Sequence, residues 1–140
     1  MRRASCFSLS FLTVFLLCAA ARADQIRFKA DLAPGPGVTS SGKGTATATL
    51  DTNNKTLTWT VDYAGLSGPA TAAHIHGPAD PGANAGIVVP FTGNLASPIK
   101  GSATLTDEQI AQLEAGKWYV NIHTDANKPG EIRGQLVRAS

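Results

Sequence analysis

The sequence predicts an all-β fold, an antiparallel Greek-key β-sandwich or barrel of about eight strands with one short helix at about residues 106–115. After residue 23, apolar and polar residues alternate with a period of two along most of the chain, as in strands that bury one face. Clusters of Gly, Pro, Asn and Asp interrupt the alternation at short intervals, as turns do. Many short strands with few helices are typical of sandwiches and small barrels.

The first 23 residues predict a secretory signal peptide and not a part of that fold. A short basic start precedes an apolar run from Phe7 to Ala21, and Ala21-Arg22-Ala23 has the small-x-small pattern of a cleavage site. The run is shorter than the roughly 20 apolar residues of a membrane span, so we expect no stable membrane insertion after its removal. We therefore expect a signal peptide at 1–23 and a single secreted or periplasmic domain at 24–140.

Removal of the signal also changes the chemistry available to the protein. Its three arginines take the formal charge from +2 to −1, and it contains both cysteines, Cys6 and Cys18. The remaining domain has no thiol for a disulfide or a thiolate metal site, so its stability must come from core packing. It also lacks the clustered basic residues, the phosphate loop and the Gly-x-Ser-x-Gly motif of nucleic-acid binders, nucleotide binders and many hydrolases.

The strands follow from the alternation, in chain order. Ile26–Leu32 is the first, and a Gly/Pro/Ser loop follows it. Gly42–Asp51 and Thr56–Tyr63 are rich in Thr and aromatic residues and are joined by a short Asp/Asn turn, which predicts a hairpin. Ile87–Phe91 is a short apolar run that predicts a buried strand, and Ile99–Leu105 alternates again.

The helix is predicted by its caps. Thr106 is placed as N-cap and Gln109 three residues later can reach back to the backbone of Thr106, which is a capping box. Gly116 suits the position just past the helix end. We expect a structural surface helix.

The three histidines of the chain lie in two further strand-like segments, Ala72–Pro78 and Trp118–Thr124. Residues two apart in a strand share a face, so His74 and His76 lie together, and His123 shares its face with Tyr119 and Asn121. In both segments the apolar residues occupy the other face. Imidazole is the commonest metal ligand and suits copper and zinc. We predict a surface site for one metal ion, most simply copper, on His74, His76 and His123. The alternative is that these histidines only hydrogen-bond a loop.

The final strand, Glu131–Val137, is predicted to turn Ile132 and Leu136 to the core and its polar residues outward. Arg133, across a turn from His123, is a candidate for holding an anion. The competing expectation is an ion pair of Arg133 with a surface carboxylate such as Glu131 or Asp125.

Three other polar residues are candidates for a supporting role around the histidines. Asp125 could orient an imidazole from outside the ligand set, or could simply form a local turn. Tyr119 and Asn121 either line the site or only cover one side of the sheet.

The sequence resembles the CHRD family, a group of domains named from chordin and widespread in exported bacterial proteins. The resemblance covers nearly all of the predicted domain. Its segments are Leu57–Leu66, Ala73–Ala79, Leu105–Thr106 with the helix, Gly116–Thr124 and Pro129–Gln135. It implies a secreted β-domain without a settled activity. In chordin such domains accompany the binding of secreted growth factors.

A second, narrower resemblance is to copper–zinc superoxide dismutase, a Greek-key barrel. Gly65-Leu66 ahead of His74-Ile75-His76 is similar to that family's copper segment, and Val120–His123 to its later copper strand. Arg133 would then correspond to the arginine that guides anions. No histidine in Gly77–Gly86 can bridge a zinc and no mature cysteine pair exists, which argues against dismutase activity.

Three functions therefore remain open. The first is an exported binding domain with a three-histidine copper site. The second is a structural or protein-interaction module that recognises an exported partner and holds no metal. The third is a copper oxidoreductase with a dismutase-like site; the sequence favours the non-enzymatic readings.

Overall fold

The computed structural model describes residues 24–140, and the predicted signal peptide lies outside that range. The described residues form nine strands and one helix, which in chain order are β1 (Gln25–Pro34), β2 (Lys43–Asp51), β3 (Thr56–Ala64), β4 (Ala72–His76), β5 (Ile87–Pro90), β6 (Ile99–Thr104), α1 (Asp107–Glu114), β7 (Tyr119–His123), β8 (Ile132–Gln135) and β9 (Val137–Arg138). Within this range, every helix is too short or too polar to cross a membrane.

The strands form one curled, nearly closed antiparallel sheet in the order β5-β4-β7-β8-β1-β2-β3-β6, and β9 pairs with β1. One half of the sheet contains β4, β5, β7 and β8, and the other contains β1, β2, β3, β6 and β9. The chain crosses between these halves after β3, β5, β6 and β8, which gives non-consecutive neighbours such as β4 and β7. Buried side chains from both halves form one core. The predicted all-β antiparallel class, with about eight strands and one short helix, is confirmed.

Period-two alternation has the expected effect along the long strands. In β1, Phe28, Ala30 and Leu32 are buried while the residues between them are exposed. The predicted hairpin is β2–β3, with Asp51 opposite Thr56 at its closed end. These strands supply the half of the core that faces the histidine-bearing strands.

The helix caps form as predicted. Thr106 Oγ1 accepts from the Gln109 backbone N–H at 3.2 Å, and Gln109 Oε1 accepts from the Thr106 N–H at 2.9 Å. Gly116 follows the end of the helix with φ +71°, a conformation that glycine adopts without strain.

Two expectations about exposure were wrong. The Ile87–Phe91 run was predicted to be a buried strand, but β5 is the edge strand of its half of the sheet and Ile87 is 55% exposed. Glu131 was predicted to face outward, but it precedes β8 and is fully buried. Both errors arise because alternation assigns faces within a strand and does not show which strand lies at an edge or what covers a connection.

The Glu131 carboxylate joins three connections between strands. It accepts hydrogen bonds from Ser40 Oγ at 2.5 Å, Ser67 Oγ at 2.6 Å, Ser67 N–H at 2.8 Å, Thr124 Oγ1 at 2.6 Å and Asn127 Nδ2 at 3.3 Å. Burial opposes its ionisation, but the hydrogen bonds from Ser40, Ser67 and Thr124 outweigh burial and lower the pKa of Glu131 to about 2.

We predict that this carboxylate makes stability dependent on acid. Its pKa in the folded chain lies below the ordinary value of 4.5, so its contribution is complete above pH 4.5 and is lost as the pH falls toward 2. The full difference corresponds to about 3 kcal/mol of unfolding free energy, of which about 2 kcal/mol is lost by pH 3. Urea unfolding at pH 7 and at pH 3 measures that part of the loss.

Glu131→Gln should lower the unfolding free energy at pH 7 by about 2–4 kcal/mol, because an amide cannot accept all of these donors. The variant should also lose much of the extra acid sensitivity between pH 5 and 2. Asp62→Asn, on the exposed face of β3, serves as the matched control. Equal stability of the Glu131→Gln protein and the parent would contradict this assignment.

Candidate metal centre

The pairing of β4 with β7 places the three histidines on one face. The register sets Ala72 opposite His123, His74 opposite Asn121 and His76 opposite Tyr119. Ala73 and Ile75 alternate with them and are buried in the core. Because both strands have neighbours on each side, β5 beyond β4 and β8 beyond β7, hydrogen-bonded backbone fixes the spacing of the histidines.

The three imidazoles converge closely enough to share one ion. One ring nitrogen from each lies within 4.8 Å of the other two, and His74 Nδ1 is 3.1 Å from His123 Nε2. With metal–nitrogen bonds of about 2.0–2.1 Å, two ligand nitrogens lie about 3.3 Å apart in a tetrahedral site and at most about 4.2 Å apart. The His74–His123 pair has nearly this spacing, and the widest pair must close by roughly 0.6–1.5 Å, which small side-chain rotations achieve.

Backbone carbonyls fix two of the rings. His76 Nδ1 is 3.0 Å from the Ala85 oxygen and His123 Nδ1 is 2.7 Å from the Lys128 oxygen. A carbonyl oxygen only accepts, so each Nδ1 carries the proton and each Nε2 of the neutral ring carries a lone pair. The lone pair of His123 Nε2 is directed at His74 Nδ1, 3.1 Å away. In metal sites, a hydrogen bond made by the ring nitrogen that does not bind the ion orients each histidine.

His76 Nε2 has no hydrogen-bond partner although it is buried. An unsatisfied buried lone pair is costly. Bonding to a metal ion would remove that cost, so the residues present fit a metal that accepts nitrogen ligands.

The site is less exposed than the sequence predicts. His76 is 8% exposed, Tyr119 2% and Asn121 6%, while His74 and His123 are half-buried. The loop between β4 and β5 lies over this face and is held there because Ala85 N–H donates to Tyr119 Oη at 3.1 Å. The alternation of apolar and polar residues in a strand is the same whether or not a loop covers its polar face, so the sequence does not predict this burial.

The residues proposed around the histidines are placed as follows. The Tyr119 ring stacks on His76 with centroids 5.1 Å apart, and the Arg133 guanidinium carbon lies 3.7 Å from the Tyr119 centroid. Asn121 Nδ2 donates to the Pro129 oxygen at 3.1 Å. Asp125 is exposed, and within residues 24–140 no hydrogen bond joins it to a histidine.

The expected ion pair of Arg133 with Glu131 or Asp125 is not formed. Its guanidinium donates to Asn84 Oδ1 at 2.9 Å and to the Ala83 oxygen at 2.8 Å. Sequence reasoning missed these loop acceptors and the carbonyls of Ala85 and Lys128. Every residue type supplies a backbone carbonyl, so no sequence motif identifies these acceptors. The one available signal is that the loops are long and rich in Gly and Pro, which allows them to fold back over the sheet.

The electrostatics favour neutral imidazoles. Burial lowers the pKa of His74 below its ordinary value, and the neighbouring His123 and His76 lower it further. Burial likewise lowers the pKa of His76; the bond to the Ala85 carbonyl opposes this, and His123 and Arg133 add to the lowering. The ligand form therefore dominates near neutral pH.

We predict that His74 and His76 of the metal-free domain titrate below 6.5, as followed by the NMR signals of their ring protons. Because their folded pKa values lie below the unfolded value, their contribution to stability is complete above pH 6.5 and declines as the pH falls through the folded values. A His76 signal that titrates above 6.5 would contradict the described environment.

Comparison with known proteins adds one match. The family model described as the CHRD domain matches residues 28–136, a span that contains all the strands that carry the site. Searches of curated proteins and of solved structures each returned no match. Since the matched span covers more than three quarters of the 140 residues, the chain belongs to the CHRD domain family.

Proposed function

We propose that this chain is an exported binding domain that holds one copper ion on His74, His76 and His123. The observation that carries the proposal is the convergence of the three ring nitrogens within 4.8 Å around a buried His76 Nε2 that has no other partner. Membership of the CHRD family supports a binding role. The signal peptide that the sequence predicts for residues 1–23 supports a secreted or periplasmic location.

Copper is favoured over other ions by the ligand set. All three donors are imidazole nitrogens, and divalent copper exceeds zinc, nickel and cobalt in affinity for such sites. Zinc is the main competitor, because it accepts the same donors in tetrahedral geometry.

A copper oxidoreductase is the second candidate. Three protein ligands leave at least one coordination position open, as in catalytic metal sites. A superoxide-removal assay on the copper-loaded domain separates this function from copper binding alone. A rate equal to that of the same domain with a copper chelator would remove the enzymatic candidate.

A metal-free protein-interaction module is the remaining candidate. The family membership supports it as a class. It requires the domain to bind an exported protein with the same affinity whether or not the three histidines are present.

We predict that the domain binds about one copper ion per chain and that His76→Ala weakens the binding by about 10- to 100-fold, because a metal ligand is lost. Isothermal titration calorimetry against a competing chelator measures both values. Binding should also weaken as the pH falls below about 6, since protons compete for the imidazoles.

Thr58→Ala is the matched control. Thr58 lies on the exposed face of β3, outside the site, so copper affinity should stay within about threefold of the parent. Copper that leaves the ring signals of all three histidines unchanged would overturn the proposal.

A further inference from the structure

A polar cavity of about 290 Å³ adjoins the histidine cluster on the Arg133 side. Its lining includes the polar side chains of His76, Tyr119, Asn84, Asn121 and Arg133. The rest of the lining, here called the Gly/Pro rim, is made largely of Gly and Pro from the loop after β1 and from the turn before Glu131. The cavity therefore combines polar side chains with weakly apolar surface.

Among residues 24–140, Arg133 is the only charged side chain that lines the cavity, and no Asp or Glu does so. The ion pairs among residues 24–140 are Lys55–Asp107, Lys117–Asp80 and Arg138–Glu114. The partners of Arg133 are neutral oxygens on Asn84 and Ala83. Its positive charge thus faces a cavity and has no anionic partner in the described part of the chain.

The guanidinium is already held in place for a ligand. Two of its five N–H donors are directed at Asn84 and Ala83, which leaves three. Its carbon lies 3.7 Å from the Tyr119 ring centroid, so stacking restricts the side chain further. A fixed arginine loses little conformational entropy when it binds a carboxylate with its planar donors.

Two of the lining residues, Asn121 and Gly130, are in close contact. Gly130 has φ +129°, and a Cβ at this position would overlap the Asn121 amide. The turn therefore lies directly against Asn121, whose Nδ2 uses one of its two hydrogens on the Pro129 oxygen and has a second for a ligand.

We propose that this cavity binds a small organic carboxylate, with the carboxylate on Arg133 and the organic part against the Gly/Pro rim. The volume lies just below the range of cavities that hold drug-sized ligands, so the ligand is the size of a small metabolite. The proposal rests on contacts that involve no metal ion, and a failure of copper binding would leave it standing.

The test titrates the metal-free domain, at constant ionic strength, with sodium acetate, sodium lactate and sodium sulfate and follows backbone amide NMR signals. Acetate and lactate should give saturable shifts at Asn84, Ala85 and Gly130, with a dissociation constant of about 1 mM. Sulfate should bind at least about tenfold more weakly, because it gains nothing from the rim. Arg133→Gln should weaken carboxylate binding by about tenfold or more.

Arg27→Gln is the matched control, because it removes the same charge from an exposed position on β1 and should leave the carboxylate shifts unchanged. Arg133→Lys is the second variant, which keeps the charge but not the planar donor pair and should weaken binding by severalfold. Shifts that never saturate, equal binding of sulfate, or equal losses in the Arg27 and Arg133 variants would each overturn the proposal.

Discussion

The buried carboxylate of Glu131 is the interaction on which the polar half of the molecule depends. Within residues 24–140 it has no cationic partner, and hydrogen-bond donors from Ser40, Ser67, Thr124 and Asn127 stabilise it. If one donor is removed, the buried charge is left with too few hydrogen bonds. This lowers the unfolding free energy by more than the bond itself contributes. The turn that begins at Thr124 also carries the Lys128 carbonyl that orients His123. The same carboxylate therefore stabilises the connections and positions one histidine.

The two faces of the histidine-bearing strands β4 and β7 have different roles. One face gives the core its apolar residues, and the other presents ring nitrogens in an order set by backbone pairing. His74, Asn121 and Arg133 form one row across β4, β7 and β8, and His76, Tyr119 and Gln135 form the next. The metal candidate and the carboxylate cavity are neighbouring parts of this one surface, which explains why Arg133 affects the pKa of His76.

The sequence predicted what depends on local pattern and missed what depends on contacts between distant segments. Alternation and turn residues predicted the strands, and a capping box predicted the helix at Asp107–Glu114. The convergence of the histidines was inferred from face sharing alone. The contacts of Glu131 with Ser40 and Ser67, and those of Arg133 with its loop, join residues more than 45 positions apart. No neighbouring residue signals such a pairing, so a charged side chain beside a turn was taken to be exposed.

The enclosure of β4 and β7 between other strands has a further consequence. Many small metal domains are unfolded without their ion, so that affinity and folding cannot be separated. Here the backbone that spaces the histidines is hydrogen-bonded to neighbouring strands on both sides, and these bonds use no imidazole nitrogen. A metal that binds only the folded chain then raises the unfolding free energy by RT ln(1 + [L]/Kd). The rise in melting temperature with added ion therefore reports how much of the site is occupied. The same measurement ranks the affinities of different ions for this domain.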